Sequence, residues 1–92
     1  MIVSFRCAET ETLFVSGKTR RWSGIARVAT RKLAQLDAAV TIEFLRSPPG
    51  NHLEVLVGDR VGQHSIRINK QWRICFVWRD ESVFDVEITD YH

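Results

Sequence analysis

Most cations of this chain fall in two runs that contain no acidic residue. Lys18, Arg20, Arg21, Arg27, Arg31 and Lys32 make the first, and Arg60, Arg67, Lys70, Arg73 and Arg79 make the second. The last stretch reverses sign, with Asp80, Glu81, Asp85, Glu87 and Asp90. Ammonium and guanidinium groups gathered this way can neutralise phosphates, so a basic surface beside an acidic edge suits a polyanion such as RNA. The same charges also suit an ordinary solvated surface, and the grouping alone leaves both readings open. The net charge is only +2, so the argument rests on distribution and not on total charge.

The elements that must hold these groups can be read from periodicity. Residues 2–5 form a short strand. Residues 8–16 form a short helix, and Gly17 is placed to stop it. Ser23 is placed to cap a second helix. Its stripe of Ile25, Val28, Ala29, Leu33 and Leu36 recurs at three- and four-residue spacing. Arg27, Arg31, Lys32 and Gln35 fall largely outside that stripe. A short helical turn over 39–45 must end before Ser47-Pro48-Pro49-Gly50, which cannot continue a helix.

Beyond that loop the period becomes two. Leu53, Val55 and Val57 alternate with Glu54 and Leu56. Residues 58–62 are a loop, 64–68 a strand, 69–71 a turn, 72–78 a strand, 80–82 a turn and 84–89 a strand, leaving a tail of 90–92. If each hairpin keeps its apolar residues on one face, Ile66, Ile68, Trp72, Ile74, Phe76, Trp78, Phe84, Val86 and Ile88 face the helices. The other face then carries Arg67, Arg73, Cys75, Val77, Arg79, Asp85 and Glu87. Arg67 lies across from Arg73 in this register, an unfavourable pairing unless something anionic meets it. That anion is either a ligand or the neighbouring Asp85 and Glu87. The expected architecture is α+β: a compact domain over 1–92, its mainly antiparallel sheet packed on one face by two N-terminal helices.

The bulk properties agree with an ordinary globular chain of 92 residues, 45% hydrophobic and 26% charged, long enough for one core. Cys7 and Cys75 belong to no CxxC or Cys/His cluster, which argues against a structural zinc site. One disulfide is formally open to them. Two reduced, buried thiols are the better fit, because the start, Met-Ile-Val-Ser-Phe-Arg-Cys, has no secretory pattern. No run approaches the ~18 apolar residues of a membrane span. An intracellular, soluble protein is expected.

Four motifs in order carry a resemblance. They are Arg46-Ser47-Pro48-Pro49-Gly50-Asn51-His52-Leu53-Glu54, the run from Gly58 to Asn69, Gln71-Trp72-Arg73-Ile74-Cys75-Phe76, and the terminal Asp90-Tyr91-His92. Together with Phe5, Lys18 to Trp22 and Arg31-Lys32-Leu33, the series resembles the HigB branch of the RelE superfamily, and most closely its GraT-like members. The resemblance implies a cytoplasmic toxin of a type II toxin–antitoxin system, with a curved sheet and two N-terminal helices. It implies an endoribonuclease that enters the A site of the 30S ribosomal subunit and cuts messenger RNA there without a metal or other cofactor. The partner it implies is a HigA-like helix-turn-helix antitoxin, through which alone the toxin meets operator DNA.

Metal-free cleavage needs a base for the 2′-hydroxyl, cations for the phosphate and an acid for the departing 5′-oxygen. The resemblance places His92 at the family's terminal histidine, and an imidazole of pKa ~6.5 serves as acid or base. Tyr91 then stacks on a base or hydrogen-bonds the phosphate, and Asp90 orients His92 or acts as base. Arg73 matches a phosphate-gripping arginine, with Arg67, Lys70 and a loop-borne Arg60 beside it. Structural alternatives stay open here: an Arg73–Glu87 pair and an Arg60–Asp59 pair. The sequence departs from some relatives, with Glu54 in place of a histidine and Val57 in place of a lysine. Glu54 is then a candidate base, and His52, two residues earlier on the same strand face, a partial substitute. The first basic run, with Lys18, Arg20, Arg21, Arg27 and Arg31, is the expected contact to ribosomal RNA. A translation blocker that binds the ribosome without cutting is the competing reading.

Overall fold

The computed structural model describes residues 1–48 and 50–90. Helix α1 spans Ala8–Ser16 and α2 spans Ala26–Ala38. They are followed by a 3-10 turn over Ile42–Arg46. Strand β1 spans Glu54–Val55, β2 His64–Arg67, β3 Arg73–Arg79 and β4 Ser82–Thr89. The four strands make an antiparallel sheet in the order β1-β2-β3-β4.

Gly17 ends α1 as its position suggested. It takes φ 74°, and its N–H donates to the Leu13 carbonyl at 2.8 Å, a left-handed cap that glycine enters without a Cβ penalty. Ser23 does not cap α2. That helix begins after Ile25 with no side-chain cap, and residues 21–25 form a turn instead. Residues 2–5 contribute two parallel bridges to β4, Ile2 to Val83 and Phe5 to Val86, rather than a continuous strand.

The core lies between the helices and one face of the sheet. Leu13, Leu33 and Leu36 from the helices meet Ile66, Ile74, Phe76, Val83, Val86 and Ile88. Full burial of side chains of this size stabilises by about 1.5–3 kcal/mol each before chain entropy is counted. Phe84 is not on this face. A bulge between Cys75 and Val77 on β3 places one extra residue on β4, and Asp85 takes φ 53° there. One inserted residue reverses the side-chain alternation beyond it. Val83 therefore enters the core opposite Trp78, while Phe84 turns outward under the Arg79 guanidinium at 4.3 Å.

Lys32 also departs from expectation. It is 5% exposed, not part of a solvated helix face, and its Nζ donates to Asn51 Oδ1. The strand expected around Leu53, Val55 and Val57 is reduced to two residues, with Val55 and Val57 exposed and Leu56 buried. His52 at φ 46° breaks extended geometry before it, and a 3-10 turn over Gly58–Arg60 ends it.

Candidate functional site

Alternation along β3 sends Ile74 and Phe76 into the core and Arg73, Cys75, Val77 and Arg79 to the opposite face. Arg73 is the best held of these. Its Nε donates to Ser65 Oγ at 2.8 Å and its Nη2 to the His52 carbonyl at 2.6 Å. Nη2 also faces Glu54 Oε1 at 3.4 Å, and the side chain is only 13% exposed. A planar guanidinium fixed along two of its edges cannot swing, so its direction is set before any ligand arrives. Arg67 stands directly across from it in the β2–β3 register, as the hairpin pattern predicted. Arg67 turns its Nε to the Asn69 carbonyl at 3.1 Å, in the β2–β3 turn.

The second centre of charge is a pair. Arg60, from the 3-10 turn, meets Glu87 of β4 at 2.9 Å and Gln63 at 3.2 Å. Glu87 is the strand partner of Cys75. The partners are thus exchanged relative to the alternatives read from the sequence: Arg73 pairs with Glu54 and not with Glu87, and Arg60 with Glu87 and not with Asp59. Asp85 compensates neither arginine, since its bulged backbone points it to Ser4, whose Oγ lies 3.4 Å away. Cys75 is fully buried, and burial pushes its thiol up to about 11, against a smaller downward pull from Arg60. Both cysteines are free thiols.

Asp90 follows the last residues of β4, whose Thr89 is the register partner of Arg73. Gln71 Nε2 donates to Asp90 Oδ2 at 3.0 Å, which ties the chain end to the β2–β3 turn. Lys70 is exposed in that same turn. Tyr91 and His92, read as a nucleobase or phosphate contact and as acid or base, lie outside the described residues. His52 does not share the strand face of Glu54. Its left-handed backbone takes it out of β1, and what it brings to the site is its carbonyl.

The first basic run divides in two. Trp22 packs edge-on against Trp72 with centroids 6.2 Å apart, and the Arg21 guanidinium lies 4.9 Å over the Trp22 ring. That contact brings residues 18–22, with exposed Lys18 and Arg20, to the end of the sheet where Arg73 begins β3. Arg21 is also paired with Glu9 at 2.9 Å. Arg27 and Arg31 are exposed on α2, in the helix layer on the other side of the sheet.

Sequence reasoning missed Ser65 and Asn51, both fully buried. Ser65 was in reach of it, being two residues before Arg67 on the same face. Asn51 gave no signal, because its side-chain partners come from two other segments, α2 and the 3-10 turn. Among the described residues, no three of His, Cys, Asp and Glu gather as metal ligands, and no helix is long and apolar enough to cross a membrane.

A family model described as the RelE-like toxin HigB of type II toxin–antitoxin systems matches residues 3–92. The chain is 42% identical over 82 residues to Toxin HigB-1 of Vibrio cholerae serotype O1, covering 87% of this chain and 86% of that protein. It is 41% identical over 61 residues to an uncharacterized protein of Haemophilus influenzae, covering 66% of this chain and 60% of that one. In fold it is similar to chains of two structures of the YoeB–YefM toxin–antitoxin complex from Staphylococcus aureus. Their TM-scores are 0.62 and 0.60 at 15% and 14% identity, with all of this chain and 98% of each of theirs aligned.

Proposed function

The chain belongs to the HigB family of RelE-like toxins of type II toxin–antitoxin systems, and on that premise we propose that it is a cytoplasmic, ribosome-dependent messenger-RNA endoribonuclease. The observation that carries this reading is the fixed Arg73. It is held by Ser65, the His52 carbonyl and Glu54, with Arg67 across the strand pair and Asp90 at the adjoining chain end. Its Nη1 makes no hydrogen bond among the described residues and is left for a phosphate oxygen.

The reaction is an in-line attack of a ribose 2′-oxygen on the adjacent phosphorus. A base takes the 2′-hydroxyl proton, the P–O5′ bond breaks, and an acid protonates the 5′-oxygen. The products are a 2′,3′-cyclic phosphate and a 5′-hydroxyl. Arg73 and Arg67 stabilise the added charge on the phosphate. Glu54, half-exposed beside Arg73, and Asp90 are the carboxylates in reach of the base role. His92, two residues past Asp90, supplies the acid, and Tyr91 stacks on the substrate. Lys18, Arg20 and Arg21 contact ribosomal RNA. A HigA-like helix-turn-helix antitoxin neutralises the toxin and alone links it to operator DNA. The family supports this, as does the fold shared with chains of toxin–antitoxin complexes.

A second reading has one observation in its favour. Arg60 and Arg73 each face a carboxylate, Glu87 and Glu54, and paired cations grip phosphate less well. On that reading the chain occupies the A site and blocks it without cutting. A reconstituted translation reaction separates the two. Messenger 5′ ends are mapped by primer extension with wild type and His92→Ala, with and without ribosomes. Cuts that require ribosomes and vanish in the variant support the nuclease; arrest with intact messenger leaves the blocker.

A further inference from the structure

Arg73 owes its position to a segment that is itself tied down from α2. Asn51 is fully buried and engaged on every side. Its Oδ1 accepts from Lys32 Nζ, and its Nδ2 donates to Gln35 Oε1 at 3.2 Å and to the Leu45 carbonyl at 3.0 Å. Its backbone N–H donates to the Pro48 carbonyl at 3.3 Å, and its own carbonyl accepts from the Arg67 N–H at 2.6 Å. The next carbonyl along, that of His52, takes Arg73 Nη2 at 2.6 Å, and Glu54 two residues later meets the same nitrogen. One buried amide thus joins α2, the 3-10 turn and the end of β2 to two of the three groups that hold the guanidinium.

The unusual member is Lys32. A buried ammonium is costly unless paired, and here an amide oxygen, not a carboxylate, receives it. Burial lowers its pKa, and the neighbouring Arg31 lowers it further. A methionine would fill the same space without that penalty, but it would leave the buried Asn51 Oδ1 without its donor. What the ammonium supplies is direction. An amide can be turned either way round, and a donor-only group beside it directs Oδ1 toward Lys32 and leaves Nδ2 for Gln35 and the Leu45 carbonyl.

We propose that Lys32 and Asn51 are positioning residues, acting through the 51–54 segment to fix the Arg73 guanidinium where it receives the phosphate. The consequence for cleavage rests on the nuclease reading above; the consequence for Arg73 itself does not. The test compares wild type with Lys32→Met, which removes the donor, and Lys32→Gln, which keeps a shorter one. Three quantities are read: the melting temperature, the Arg73 Nε–Hε resonance by NMR, and kcat and KM for ribosome-dependent cleavage. Lys32→Met relieves a buried charge but strands the Asn51 Oδ1 acceptor, and the two roughly offset, so it is expected to melt within a few degrees of wild type. Its Arg73 resonance shifts or broadens, and kcat falls at least tenfold while KM for ribosomes holds. Lys32→Gln recovers part of both losses. A Lys32→Met protein with an unchanged Arg73 resonance and wild-type kcat overturns the proposal. So does a loss of kcat that only tracks a loss of fold in both variants. If wild type itself does not cut, the nuclease reading fails, and the NMR comparison alone decides whether Lys32 places Arg73.

Discussion

Arg60 and Glu87 meet at 2.9 Å across the sheet face opposite the helices, with both side chains largely withdrawn from water. Glu87 is held in β4 as the strand partner of Cys75, whereas Arg60 sits on a short turn and must be drawn in. Glu87→Gln removes the charge and keeps the shape. It should destabilise the chain by roughly 1–3 kcal/mol, the range for a partly buried charged hydrogen bond. Urea unfolding of Glu87→Gln, Arg60→Gln and the double variant gives the coupling. A double variant as costly as the sum of the singles would mean that the pair contributes nothing as a pair.

Arg73→Lys preserves the charge and loses the fork. A lysine cannot reach Ser65 Oγ and the His52 carbonyl together, the two groups that Arg73 holds at 2.8 and 2.6 Å. Ribosome-dependent cleavage should fall by roughly 10²-fold or more, the usual loss when one donor to a developing charge is removed. Binding to ribosomes should change little. Wild-type cleavage by Arg73→Lys would show that a point charge suffices and that the fixed geometry does not matter.

Charge reversal tests the other basic run. Lys18, Arg20 and Arg21 are exposed; Arg21 lies over the Trp22 ring and makes a surface pair with Glu9, and an exposed pair is worth little. Replacing all three by glutamate should leave the fold intact and weaken sedimentation with ribosomes by roughly tenfold or more, with a shallower salt dependence. Co-sedimentation equal to wild type at every salt concentration would remove this surface from the ribosome contact.

Much of this arrangement was legible in the sequence, and each failure has a local cause. The α1 boundary and the Arg67–Arg73 juxtaposition followed from a glycine stop and from strand periodicity. Phe84 was misplaced because alternation carries no mark of an inserted residue, and the bulge residue is an aspartate rather than a glycine. Lys32 was misread by residue type. Ala29, Lys32, Leu33 and Leu36 stand at helical spacing and are all buried, so the stripe did include it. The carboxylate partners of Arg60 and Arg73 depend on how a short turn and a left-handed His52 lie over the sheet. No pattern within a single element carries that.

His64 gives a pH dependence on the acid side. It stacks on Phe76 with ring centroids 5.9 Å apart, and its Nδ1 is buried without a hydrogen-bond partner among the described residues. Burial lowers its pKa below the ordinary 6.5, and the charge of Arg46 lowers it further. The folded chain therefore binds this proton less readily than the unfolded chain does. The stability so contributed is present above pH 6.5 and is lost as pH falls below it. Chemical unfolding at pH 7.5 and pH 5 should show a drop that shrinks in His64→Phe. An equal drop in the variant would assign the pH dependence to other groups.

Cys75 gives the opposite window. Its thiol is buried and its pKa is raised to about 11 from an ordinary value of 9.0, mainly by desolvation. Because the folded value is the higher one, the stabilisation is complete below pH 9 and is lost as pH rises toward 11. Full loss amounts to roughly 2–3 kcal/mol. The measurement is the difference between wild type and Cys75→Ala, followed by urea unfolding from pH 8 to pH 11. The alanine variant pays for its cavity at every pH, but its deficit should narrow above pH 9 as wild type loses the thiol's contribution. Alkylation gives a second readout. At pH 8 the partly buried Cys7 should react with iodoacetamide while Cys75 stays protected until the chain unfolds. A Cys75 that alkylates at pH 8 as fast as Cys7 would mean that the face under Arg60 and Glu87 opens far more readily than their 2.9 Å contact implies.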